Sequence, residues 1–150
     1  MTDLLEIGHA IRDAYASSVP EGHAAWMGYA GDGMRVYHVP ELPGDGHPID
    51  VSQLGGAADA ESDALAKIDT RITVDTVRAI GDDMLALETT FTGTLPDGTP
   101  FRYPNVLLYT FRDGKIAQLV EVASADMWST LRAALETVGF GAGRDAAQAG

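Results

Sequence analysis

The residue pattern predicts an α+β fold. Helical stretches dominate the first half, and a run of long strands joined by tight turns fills the second. No alternating strand–helix–strand unit interrupts that order. Leu4, Ile7, Ile11 and Tyr15 recur every three to four residues, so the first segment reads as a helix with one apolar stripe. Asp3 and Glu6 have the spacing of a capping box, and Ser17, Ser18 and Pro20 mark where this helix fades. The stretch 23–30 is ambiguous; Trp26 and Tyr29, three apart, suit a short helix packed on the first.

Residues 34–40, MRVYHVP, have the β-branched and aromatic mix of a short strand that Pro40 ends. Residues 41–50 are rich in Pro and Gly and read as a loop. Helical spacing returns from Leu54 to Ile68, with Leu54, Ala58, Glu61, Leu65 and Ile68 on one side and Glu61 at its exposed edge. Gly55 and Gly56 place the expected start near Asp59, as the cap. Residues 70–80 alternate, then change face, which predicts a bulge near Asp75. Residues 84–95 alternate again, with Leu85, Leu87, Thr89 and Phe91 on one face. PDGT (96–99) and Asp113-Gly114 are turn signals that set off strands at 101–111 and 115–123. A last helix has Met127, Trp128, Leu131, Leu135 and Val138 on its apolar side, Ser124 or Asp126 as cap and Gly139 as stop. One domain over 1–138 is expected, with 139–150 as a flexible tail.

Composition excludes several roles. The 150 residues hold 10 Lys+Arg against 22 Asp+Glu, a net charge of −12. Nucleic acid and anionic membrane surfaces are poor partners for such a chain. There is no cysteine, hence no disulfide and no thiolate nucleophile or ligand. The N-terminal MTDLLEIGHAIRDAY has acid early and no signal-like apolar run, and no stretch approaches membrane-spanning length, so a soluble cytoplasmic protein is expected. Dinucleotide-type GxGxxG, P-loop and GxSxG motifs are absent from the sequence.

The segment 94–131 carries DGTPF, an Asn, YTFRDGKI, VEV and then Asp and Leu. It resembles the C-terminal half of the NTF2-like superfamily, in particular its SnoaL-like, ketosteroid isomerase-related branch. FRDGKI (111–116) resembles that family's hairpin, PFRYPNV (100–106) its preceding strand, and YHVPELPGDG (37–46) the His-x-Pro…Gly stretch after its first strand. Glu121 falls where the family usually has an acid. The resemblance implies a cone: a curved antiparallel β-sheet closed by N-terminal helices, with a pocket inside, a homodimer through the outer face, and acid/base chemistry on a small apolar substrate.

The candidate residues follow from strand alternation and that resemblance. Glu121 shares a face with Lys115, Ala117, Leu119 and Ala123; by resemblance this face lines the cone. An apolar pocket would raise its pKa toward a useful general-base range. His38 shares a face with Val36 and is the second proton-transfer candidate, or a structural residue bonded to the loop at 43–46. Tyr109 could donate to a developing oxyanion, or serve a dimer interface together with Phe111. Asn105 could bind a substrate oxygen or orient Glu121. Tyr15, Trp26, Leu87, Thr89, Phe91 and Leu119 are expected to line the pocket. His9, His23 and His47 carry weaker signals. His38, Asp45 and His47 lack metal-site spacing, so no metal is expected. Carbonyl-directed proton transfer needs no cofactor. Thr89 and Phe91 stand where epoxide-opening relatives of limonene epoxide hydrolase type carry an Arg and an Asp, so that constellation is incomplete. A non-catalytic ligand-binding or interaction module is the competing reading.

Overall fold

The computed structural model describes residues 3–140. The chain runs α1 (Leu4–Ser17), α2 (Val19–Met27), β1 (Ala30–Val39), α3 (Val51–Ala66), β2 (Arg71–Ile80), β3 (Met84–Thr94), β4 (Pro100–Arg112), β5 (Lys115–Ala123) and α4 (Ala125–Thr137). The architecture is α+β, with a five-stranded, curled, unclosed sheet of order β1-β5-β4-β3-β2. Of the expected tail, residues 141–150 lie outside the described residues. Phe140 still belongs to the end of α4, where its N–H donates to Leu135 O at 2.9 Å.

Local chemistry explains the elements. Asp3 caps α1 by accepting from Glu6 N at 3.1 Å. Ser18 does the same for α2 through Glu21 N, so Pro20 opens that second helix rather than simply ending the first. α3 starts earlier than the expected Asp59. Asp50 is its cap, accepting from Ser52 N, and Gly55 and Gly56 lie inside the helix. Their intrinsic cost of about 1 kcal/mol each is outweighed by packing of Leu54 and Leu65 against the core. Ser124, not Asp126, caps α4.

The expected bulge is present: the β2–β3 register shifts between Val74 and Thr76. Asp75 falls in that shift, and its carboxylate accepts from Thr90 Oγ1 at 2.6 Å. Two features differ from a regular antiparallel meander. β1 begins at Ala30 and pairs with β5 in parallel. A second shift, between Thr110 and Phe111 of β4 and Gln118 and Ile116 of β5, changes the parity of β5. Ile116 is therefore buried, while Lys115 is exposed and leaves the face it was expected to share with Glu121.

The core fills the concave side of the sheet. Ile11, Leu85, Leu87, Tyr109, Ile116, Leu119 and Met127 are fully buried there, each side chain contributing roughly 1.5–3 kcal/mol of burial. Tyr109 and Phe111 are buried within the single chain, which removes the interface role considered for them. The helices approach closely because two of their contacts have no side chain. A Cβ on Gly8 would strike Val77 and Leu85, and one on Gly22 would enter the Tyr15 ring. Gly22→Ala is expected to lower the stability by about 1–3 kcal/mol, read as a reduced urea midpoint at unchanged slope.

Candidate active site

The curl encloses a cavity of about 490 Å³. Tyr15 of α1, Trp26 of α2 and Leu54, Ala58 and Leu65 of α3 form one wall. Phe91, Leu107, Tyr109 and Leu119 of the sheet form the opposite wall. Trp128, Leu131 and Leu135 of α4, with the loop 42–49, surround the mouth. Odd-numbered residues of β3 and β4 face inward because the strand period is two.

Register decides which polar groups meet. Leu107 of β4 pairs with Glu121 of β5, and Glu121 pairs with His38 of β1. His38 and Glu121 therefore project side by side, with His38 Nε2 3.6 Å from Glu121 Oε2. The loop after β1 folds back over His38. Asp45 accepts from His38 N at 2.7 Å and Leu42 N at 3.0 Å through Oδ2, and Oδ1 lies 2.6 Å from His38 Nδ1. Arg35 donates to Gly46 O, and Ile49 N–H donates to Met34 O at 2.9 Å, which ties the same loop along β1. The Trp128 ring meets the imidazole edge-on at 5.2 Å.

These contacts set the protonation states. Burial alone would raise the Asp45 carboxyl, whose side chain is only 5% exposed. The His38 side chain, the two backbone N–H groups and the His38 charge outweigh that and hold its pKa below the usual carboxylate value. An ionised Asp45 can only accept, so Nδ1 of His38 carries a proton and Nε2 is the atom presented to Glu121. Glu121 is pushed up to about 7, chiefly by burial. His38 opposes that rise, while Glu61 and Asp45 add to it. The Tyr109 hydroxyl is also raised by burial, then by Tyr15 and Glu121. It is completely buried and has no hydrogen-bond partner among the described residues.

A model of the SnoaL-like domain matches residues 32–119, more than half of the chain. The chain belongs to the SnoaL-like family. An NTF2-like protein from Burkholderia thailandensis has the same fold (TM-score 0.63, 17% identity, 86% of this chain and 96% of that one covered). So does a Catenulispora acidiphila protein with a ketosteroid isomerase-like fold, in complex with trimethylamine (0.58, 17%, 89% and 95%). A candidate SnoaL-like polyketide cyclase from Jannaschia aligns as well (0.59, 14%, 90% and 96%). Comparison with curated proteins gives no significant match.

In this SnoaL-like chain, Glu121, His38, Tyr109, Tyr15, Trp26, Phe91 and Leu119 all line the cavity. Leu87, Thr89 and Asn105 lie deeper on the same inward face and do not line it. Asn105 does not hydrogen-bond Glu121; its amide atoms have no partner, while Thr89 Oγ1 donates to Asn105 O at 3.2 Å. His38 is bonded to the loop through Asp45 and also lines the cavity.

Three lining residues had been passed over. His23 is buried in α2, with Nδ1 3.0 Å from Ser62 Oγ, and burial lowers its pKa against the opposing charge of Glu61. Asp45 and Glu61 join Glu121 inside, so Glu121 is not the sole acid there. The signal for Glu61 was its place in the stripe Leu54, Ala58, Leu65, which was read as an edge. Among the described residues no group of three His, Asp or Glu could hold a metal, and no helix is long and apolar enough to cross a membrane.

The raised Glu121 pKa is a stability cost with a definite sign. Its folded value, about 7, exceeds the ordinary 4.5. The folded state binds the extra proton between those values, so stability falls as pH rises through that window. Glu121→Gln is expected to stabilise the protein above pH ~7 by at most about 3 kcal/mol, with the gain vanishing below pH ~4.5. Urea midpoints at pH 8 and at pH 4.5 measure it.

Proposed function

We propose that this SnoaL-like protein performs acid/base chemistry on a small, apolar, carbonyl-bearing substrate, by isomerisation, cyclisation or dehydration. One observation carries the reading: a carboxyl group with a pKa near 7 faces an apolar cavity beside an imidazole held in one tautomer. Glu121, when ionised, removes a proton from the carbon next to the substrate carbonyl. The C–H electron pair moves into the new C=C bond, and the carbonyl oxygen becomes an enolate. Tyr109, whose hydroxyl has no partner among the described residues, donates to that oxygen. Glu121 then returns its proton to another carbon, or protonated His38 delivers one through Nε2 to a departing hydroxyl. Asp45 keeps the imidazole aimed. The carbonyl is the electron sink, so the reaction requires no cofactor.

A non-catalytic binding role is the second reading. The breadth of the aliphatic and aromatic lining supports it. Turnover of a panel of β-hydroxy and β,γ-unsaturated cyclic ketones separates the two. With Glu121 as base, kcat/KM rises with pH to a plateau through a midpoint near 7. Glu121→Gln is expected to lose about 10²–10⁴-fold. Tight ligand binding with no turnover in the parent protein would favour the binding module, and full turnover by Glu121→Gln would remove it as the base.

Homodimerisation is part of the proposal. Its support is the outer sheet face, where Val106 pairs with Val122 and Leu108 with Val120, all half-buried in the single chain. Leu108→Arg is expected to convert a dimer to a monomer in sedimentation; a monomeric parent protein would contradict the dimer.

A further inference from the structure

The cavity is unbalanced in charge. Asp45, Glu61 and Glu121 contribute carboxylates from the loop, α3 and β5. Once Glu121 is ionised, above its pKa of about 7, even a protonated His38 leaves two net negative charges among these four groups. Glu136, at the end of α4, is engaged by Arg132 at 3.4 Å. His23 is kept neutral by burial, and His47 stands at the rim. Glu61 has no hydrogen bond or ion pair among the described residues, yet it acts electrostatically on Glu121, Tyr15 and His23. Glu61 and Glu121 both bear on the Tyr15 ring from different elements, α3 and β5.

The remaining surface is aliphatic and aromatic. Tyr15, Trp26, Phe91, Tyr109 and Trp128 line the cavity, and the Trp26 and Tyr109 rings lie 6.1 Å apart. Aromatic faces together with the Glu61 carboxylate, unpaired among the described residues, favour a desolvated cation. The fully buried Tyr109 hydroxyl, unpartnered among the described residues, independently marks a place for a polar ligand atom. An anionic ligand would meet repulsion from both carboxylates. A neutral ligand would leave Glu61 unpaired.

We infer that the cavity recognises an apolar molecule bearing a protonated amine, seated between Glu61 and Glu121 against the Tyr15 and Trp26 rings. For the proposed reaction the substrate class becomes an amino-carbonyl compound. The recognition uses the same cavity as that reading but none of its proton transfers. The chain's charge of −12 further raises the local concentration of cations.

The test compares two probes of equal shape on the intact protein: protonated N,N-dimethylbenzylamine and the uncharged isobutylbenzene, titrated by ligand-observed NMR at pH 7.5. The amine is expected to bind at least tenfold tighter than the hydrocarbon. Glu61→Gln, checked for an unchanged thermal melt, is expected to weaken amine binding about fivefold or more and leave the hydrocarbon unaffected. Equal affinities, tighter binding of the hydrocarbon, or no binding of the amine overturn the inference on the parent protein alone. Neither probe has a hydrogen acidified by a carbonyl, so this outcome is independent of the turnover assay.

Discussion

The parallel addition of β1 to β5 is the constraint on which the site depends. It places His38 opposite Glu121 in the register and leaves the loop after β1 to fold back over the imidazole. A one-residue slip of that pairing would send one of the two side chains to the outer face, because it reverses the pleat. The return of the loop also ties down much of the outer strand. Gly33, Val36 and Met34 exchange backbone hydrogen bonds with Ile49 and Gly46, so less of β1 is left as a bare edge. One pairing thus supplies the acid/base neighbours, their orientation and the cover of a sheet edge.

Everything around that pair makes Glu121 harder to ionise. The walls are apolar, and Glu61 and Asp45 add negative potential; only His38 favours the charged form. A fold selected for stability alone would place an apolar residue at the same inward position, as the neighbouring Leu107 and Leu119 do. The helices hold this arrangement by packing rather than by charge. Gly22 admits the Tyr15 ring, and Tyr15 in turn packs edge-on against His23. α4 adds Trp128 beside His38, so the C-terminal helix completes a wall that the N-terminal helices leave open.

Much of this was legible in local sequence. Caps at Asp3 and Ser124, the bulge at Asp75 and the turns at 96–99 and 113–114 follow from short-range chemistry, and each is present. Alternation correctly turned Glu121 and Leu119 to the same side. What was not legible depends on partners far along the chain. The parallel pairing joins strands separated by half of the chain. The parity change that exposes Lys115 arises from a bulge against β4, which no pattern in 115–123 reveals. Glu61 looked like a stripe edge because a carboxylate among leucines is ordinarily a solvated border; only the opposing sheet makes that border an interior. His23 carried only a weak signal, since Ser18, which caps the helix that holds it, was read as the end of α1.

The most direct measurement of the central claim is the site-resolved titration of the Glu121 side-chain carboxyl by carbon-13 NMR. A midpoint near 7 is the expected result. A midpoint near the ordinary 4.5 would show that the carboxyl is solvated as a surface acid and would contradict the account.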